Sequence, residues 1–189
     1  LPVPEGLDGF SFLPLLKGKK QDGRDKVFTQ IDMKAGGDAV PMRCVQDKSF
    51  GYIFSPWADG KFWYRNNNEG LTMRAMVEAA ETDPFAAERV KMFRYRAAEE
   101  LYDLRNDPDC INNLVGKAGF EDELNKRRNQ LHNWMIETGD ILLPAFENRN
   151  SPEKMKAALV DIYGNNYTKA AARKPKVRRN KKRQNRNKN

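Results

Sequence analysis

The charged residues of this 189-residue chain are unevenly divided, and that division limits how much of it can fold. From Lys169 to Asn189 there are eleven Lys and Arg and no acid; of the chain's 34 bases and 26 acids, residues 1–168 therefore hold 23 and 26. The net charge of +8 thus belongs to a tail on a mildly acidic body. No apolar side chain follows Val177, so the tail cannot bury enough surface to offset its ordering entropy and is expected to be disordered. One role for it is a polyelectrolyte arm that binds nucleic acid, an anionic membrane or a sulfated polysaccharide through counterion release. The other is a solvated terminal extension.

Residue types that carry familiar chemistry are scarce in the body. Cys44, Cys110 and the single histidine, His132, exclude a zinc site of the usual Cys/His kind within this chain. Whether the two cysteines lie within disulfide reach is not readable from sequence. His132 falls on a helix among Arg127, Arg128 and Trp134 and reads as a surface or packing residue. No Gly-rich phosphate loop, HExxH or paired-carboxylate cluster occurs. No stretch approaches the ~18 consecutive apolar residues of a membrane-spanning helix. Leu1-Pro2-Val3-Pro4 has neither the charged nor the apolar region of a signal peptide, and the start reads as the middle of a longer protein.

Local patterns give the elements. Phe10–Leu16 is a short apolar run, a helical turn or two, that needs another surface to cover it. Lys26–Met33 predicts a strand with Val27, Thr29 and Ile31 on one face. Met42–Gln46 and Phe50–Phe54 predict a hairpin turning near Asp47-Lys48-Ser49. The aromatic stretch Trp57–Tyr64 reads either as a ring platform for a sugar or base or as a segment closing the core.

Leu71–Glu81 has apolar residues at Met73, Met76, Val77 and Ala80, the spacing of one buried helix face. Asp83-Pro84 then starts a second helix running toward Phe93. Glu100–Leu104 is a short strand ended by Asn106-Asp107-Pro108-Asp109. The clearest helix spans about Phe120 to Glu137 and ends at Gly139. Its acids Glu121, Asp122 and Glu123 favour the positive end of the helix dipole, and Asp122–Lys126 and Glu123–Arg127 are spaced to pair. Phe120, Leu124, Leu131, Trp134 and Met135 form its apolar stripe. The expected fold is α+β: a small antiparallel sheet of about four strands, packed against that long helix, plus a disordered basic tail.

Several strings, taken in order, resemble the C-terminal part of the sulfatases, hydrolases of sulfate esters and sulfamates. They are Leu7–Gly18, Arg24–Phe28, Glu99–Pro108 followed by Asn112-Asn113-Leu114, Trp134-Met135, and Thr138-Gly139-Asp140. Val40–Gln46 and Tyr95–Asp103 are most similar to the heparan N-sulfatase (sulfamidase) branch. The resemblance covers roughly residues 5–145 and leaves out the tail. It implies a division into residues 1–25 (end of a catalytic domain and linker), 26–145 (C-terminal subdomain), 146–168 (irregular extension) and 169–189 (tail).

The resemblance also implies what should lie elsewhere. Sulfatases convert the Cys or Ser of C/S-x-P-x-R to formylglycine and hold Ca²⁺ beside it. Here Cys44 is followed by Val45-Gln46-Asp47, Cys110 by Ile111-Asn112-Asn113, and no serine fits the pattern. Both cofactors are therefore expected in a missing N-terminal catalytic domain, with no catalytic or metal-binding residue in this chain. Two residues are candidate contacts to a sulfated glycan: Lys34, in the loop after the first strand, and Arg43. Each has a plainer reading, a solvated loop charge for Lys34 and a structural ion pair for Arg43. Met33, Lys34 and Ala35 stand where sulfamidases have His and Glu, which departs from N-sulfoglucosamine specificity. The expected function is that of a sulfatase fragment acting with its catalytic domain on sulfated glycans in the periplasm, cell exterior or lysosome. The alternative is a polyanion- or nucleic-acid-binding module working through the tail.

Overall fold

A computed structural model describes residues 6, 9–65 and 70–174. Four strands form one antiparallel sheet in chain order: β1 (Lys26–Met33), β2 (Ala39–Asp47), β3 (Phe50–Phe54) and β4 (Glu99–Asp103). The β2–β3 turn is tight because the Asp47 carboxylate accepts hydrogen bonds from the backbone N–H of Ser49 (2.7 Å) and Phe50 (2.8 Å). Two helices, α2 (Leu71–Ala79) and α3 (Pro84–Arg94), are inserted between β3 and β4. Asp83 caps α3, its side chain accepting the Phe85 N–H at 2.9 Å.

The core lies on one face of the sheet. Strand register aligns Phe28, Val45, Tyr52 and Leu101 as a row across all four strands. The long helix α4 (Glu121–Glu137) covers this row with Leu124, Leu131 and Met135, and Trp134 stacks on Phe28 with ring centroids 5.1 Å apart. The inward residue of β1 is thus Phe28. Val27 and Thr29, on the alternate face, are exposed, because no described element lies over that part of the sheet. Toward β4 the same outer face buries Tyr102 and Glu100, and Arg96 from the α3–β4 connection pairs with Glu100. A short helix α1 (Leu13–Leu16) contains the predicted apolar turn.

Residues 146–168 are not the irregular extension expected from the sequence. They continue the core through α5 (Leu143–Glu147), α6 (Pro152–Tyr163) and α7 (Asn165–Ala171). Phe146, Met155, Leu159, Tyr167 and Ala170 are buried in the same cluster as the sheet face. The local chemistry explains the helices: the Ser151 hydroxyl accepts the Lys154 N–H at 3.4 Å, Pro152 opens α6, and Gly164, at φ 50°, makes the sharp turn into α7. The helical part also runs past the expected start of the tail at Lys169, since Ala170 packs in the core. The tail from residue 175 onward, expected to be disordered, lies outside the described residues.

Candidate functional site

Arg43 sits on the core face of β2, with its side chain only 2% exposed. A guanidinium has five N–H donors, and every one is used here. Nε donates to Asp140 Oδ2 (2.5 Å), and Nη2 to Asp140 Oδ1 (3.0 Å) and Asp32 Oδ1 (2.9 Å). Nη1 donates to the carbonyls of Ile31 and Met42, both at 3.1 Å. Tyr163 of α6 donates its hydroxyl to the same Asp32 oxygen at 2.7 Å. Burial works against the charged guanidinium, but the two carboxylates outweigh it and leave its pKa raised. This is the ion-pair role of the two open to Arg43. It joins β1, β2, the turn after α4 and α6, with no donor left over for a ligand.

Lys34 lies in the β1–β2 loop, where Gly36 and Gly37 both take positive φ (94° and 82°) that L side chains rarely adopt. That turn brings Lys34 Nζ within 2.7 Å of Asp38, whose side chain is 6% exposed, and Arg173 at the end of α7 pairs with the same carboxylate. Lys34 is therefore not a solvated loop charge. It and Arg173 neutralise a buried acid and pin the last helix to the loop.

Sequence reasoning missed two further arginines. Arg127, 1% exposed, joins α4 to the hairpin through Asp47 (2.6 Å) and Glu123 (2.6 Å), the i,i+4 partner expected for it. The Asp122–Lys126 pair does not form; Lys126 approaches Glu123 instead, at 3.7 Å. Arg128 grips Glu99 of β4 in a two-pronged contact, 2.7 Å to each oxygen, and Tyr52 donates to Glu99 at 2.5 Å. Burial raises the Glu99 pKa, but these hydrogen bonds prevail and hold it below the ordinary carboxylate value. The same carboxylate pushes Tyr52, already raised by burial, well above its usual value. The helix stripe read as purely apolar therefore carries a buried charge.

His132 stacks on Phe146 and lies 3.4 Å from Glu147, as a packing histidine. Both cysteines are free thiols. Among the described residues no three or more His, Cys, Asp or Glu side chains converge as a metal's ligands would. Neither Cys44 nor Cys110 has the flanking residues of a formylglycine precursor.

A cavity of about 710 Å³ opens at the sheet end that holds Phe54 and Glu99. Its walls come from the segment after β3, the α3–β4 connection, the α5–α6 turn with the start of α6, and α7. Rings from Trp57, Tyr95 and Tyr167 and cations from Arg96, Arg149 and Lys156 line it. The aromatic stretch singled out in the sequence splits between two roles. Trp57 stacks on Tyr64 (5.1 Å) and contacts Phe62 (4.8 Å) within the core, yet it also forms part of this wall.

No protein-family model matches the chain. It is 30% identical over 143 residues to an ulvan-active sulfatase of Formosa agariphila, covering 74% of this chain and 26% of that protein. A second ulvan-active sulfatase of the same organism is 26% identical over 140 residues, covering 72% and 23%. A solved 2-O GAG sulfatase superposes with a TM-score of 0.48 at 20% identity, covering 74% of this chain and 22% of its own. The chain spans about a quarter of the length of the curated relatives it matches. Over these residues the chain is similar to part of two sulfatases.

Proposed function

We propose that this chain is the C-terminal supporting lobe of a sulfatase that hydrolyses sulfate esters or sulfamates of sulfated glycans, the reactive centre lying on polypeptide outside it. The observation that carries this reading is the similarity to ulvan-active sulfatases over a segment in which no C/S-x-P-x-R occurs. Formylglycine and Ca²⁺ belong, in this proposal, to the other polypeptide. The lobe supplies a rigid flank, held by the ion pairs of Arg43, Arg127 and Arg128.

An apolar surface suits such a partner. Phe10 is 77% exposed, Phe12 61% and Leu16 72%, a contiguous run in and beside α1 that the lobe itself does not cover. A catalytic domain resting there would bury it. Export to the periplasm, the cell exterior or a lysosome is part of the proposal; no helix among the described residues is long and apolar enough to cross a membrane.

The finer reading is the heparan N-sulfatase type. Its support is the pair of strings Val40–Gln46 and Tyr95–Asp103, which form β2 and the approach to β4 together with β4 itself. These are largely scaffold positions, and the sulfated polymer in the relatives' names is ulvan. We therefore put the class, hydrolysis of a glycan sulfate, ahead of the sulfamate linkage. A binding module driven by the tail is the second reading, favoured by the eleven bases and no acids of residues 169–189.

The test is sulfate release from a panel of ulvan, heparin and N-sulfoglucosamine substrates, with this chain alone and with it joined to its upstream coding sequence. The proposal expects C/S-x-P-x-R upstream, no release by the chain alone and release by the joined protein. A joined protein that lacks the motif and releases nothing overturns it. Release from N-sulfoglucosamine alone would establish the sulfamidase type.

A further inference from the structure

The two borders of the sheet differ. At β4 the border is occupied, since Leu114 donates its N–H to the Leu101 carbonyl at 2.8 Å. At β1, eight residues long, backbone groups bond among the described residues only to β2 and, at the Ile31 carbonyl, to Arg43 of that same strand. A strand of this length with unmet N–H and C=O groups is a template for another strand. The helices do not close it off. Trp134 of α4 meets β1 at Phe28 on the core face, while Val27 and Thr29 on the outer face are exposed. The usual guards on such an edge are absent from its middle: residues 27–31 contain no proline, glycine or charge, and the one irregularity in its register lies between Ile31 and Met33.

The order of its own residues indicates what fits this edge. Two copies of β1, brought together antiparallel about a two-fold axis at Thr29, place Val27 opposite Ile31, Phe28 opposite Gln30 and Lys26 opposite Asp32. Each copy then offers its partner one cation and one acid, and the apolar residues of the outer face meet each other. Asp32 is equipped for this. Its Oδ1 accepts from Arg43 and Tyr163, whereas Oδ2 has no bond among the described residues, and the side chain is 37% exposed. Lys26 is held only by its neighbour Asp25, through surface contacts of 3.1 and 3.4 Å.

Moving the axis by one residue spoils the match. At Gln30 it sets Lys26 against Lys34. At Phe28 it leaves Lys26 facing Gln30 and gives Asp32 only Arg24, which is already bonded to Gln21 and to the Phe10 carbonyl.

We propose that β1 is a dimerisation edge, on which a second copy of this chain pairs antiparallel about Thr29 to make one continuous sheet. Because the β4 border is occupied, such pairing closes at two copies. Nothing in it depends on the sulfatase reading.

The experiment is sedimentation equilibrium of the 189-residue chain over a range of concentrations, with hydrogen exchange of the β1 amides read by mass spectrometry. Two variants accompany it, so that one remains usable where the other disturbs the fold. Thr29→Lys sets two lysines opposite each other on the axis, and Lys26→Glu sets an acid against Asp32. The proposal expects the unaltered chain to dimerise, with slow exchange in β1. Thr29→Lys should weaken the dimer about tenfold and Lys26→Glu about fivefold, each with faster β1 exchange and an unchanged circular dichroism spectrum. An unaltered chain that stays monomeric overturns the proposal. So does an association that neither variant weakens, which assigns it to another surface such as the apolar run beside α1. The same measurements on the chain joined to its upstream coding sequence test the other occupant: slow β1 exchange in a monomer gives the edge to the upstream polypeptide and overturns the pairing of copies.

Discussion

Arg43 and Lys156 mark two regions that use positive charge in opposite ways. Around Arg43 every donor is matched: two carboxylates, two carbonyls and a tyrosine hydroxyl close the network, and neighbouring Arg127 and Arg128 each hold an acid from the sheet. Around the Trp57 cavity the matching is incomplete, with two buried donors unpartnered and Lys156 free of any described acid. The lesson is that burial alone does not mark a binding arginine. A cation whose valences are all met inside the protein is a fastener, whereas an exposed one such as Lys156, with no acid beside it, ties no elements together.

Substitutions separate the two regions by the size of their effect on stability. Arg43→Ala should cost about 3–5 kcal/mol, because it leaves the buried Asp140 carboxylate without its cation; urea unfolding should show the midpoint collapse. A loss below about 1 kcal/mol would mean that the network is not a fastener. Arg127→Ala should cost less, about 2 kcal/mol, since its partners Asp47 and Glu123 are partly exposed and can rehydrate.

Acid titration probes the same region without mutation. Glu99 and Asp47 both have pKa values held below the ordinary carboxylate value, in each case against the upward push of burial. Arg128 and Tyr52 do this for Glu99; the N–H groups of Phe50 and Ser49, with Arg127, do it for Asp47. A carboxylate depressed in the folded state contributes stability above its unfolded pKa of about 4 and loses it as pH falls through the lower folded value. The urea midpoint should therefore fall between about pH 5 and pH 2, and Glu99→Gln should flatten that fall. The smallest effect belongs to the cavity: Lys156→Ala should leave stability within about 0.5 kcal/mol. A large loss there would erase the contrast between the two regions.

How much of this was legible depended on the range of the interaction. β1 and the start of α3 follow from local signals, strand alternation at Lys26–Met33 and the Asp83-Pro84 cap, and the structure has both. The turn Thr138-Gly139-Asp140 stood out as a string, but its purpose did not. Asp140 meets Arg43 across 97 positions of sequence, and no local pattern encodes that distance. Arg127 was hidden because a charge on a helix normally faces water; only the Asp47 carboxylate on the neighbouring hairpin makes its burial tolerable. The helices of residues 146–171 were readable in principle. Ser151-Pro152 is a start signal, and Met155, Leu159 and Ile162 recur at helical spacing. The cavity needed four separate segments to converge, which sequence spacing does not report.

Asn113 gives the sheet a direction for growth. Its side chain accepts the N–H of Leu101 (3.0 Å) and donates to the carbonyl of Glu99 (3.1 Å), while Leu114 N–H bonds to the Leu101 carbonyl (2.8 Å). One amide and the residue after it thus impersonate a fifth strand and seal the β4 border. The far border, along β1, has no such plug among the described residues. Among the described residues, that is the border on which a further strand could lengthen the ladder.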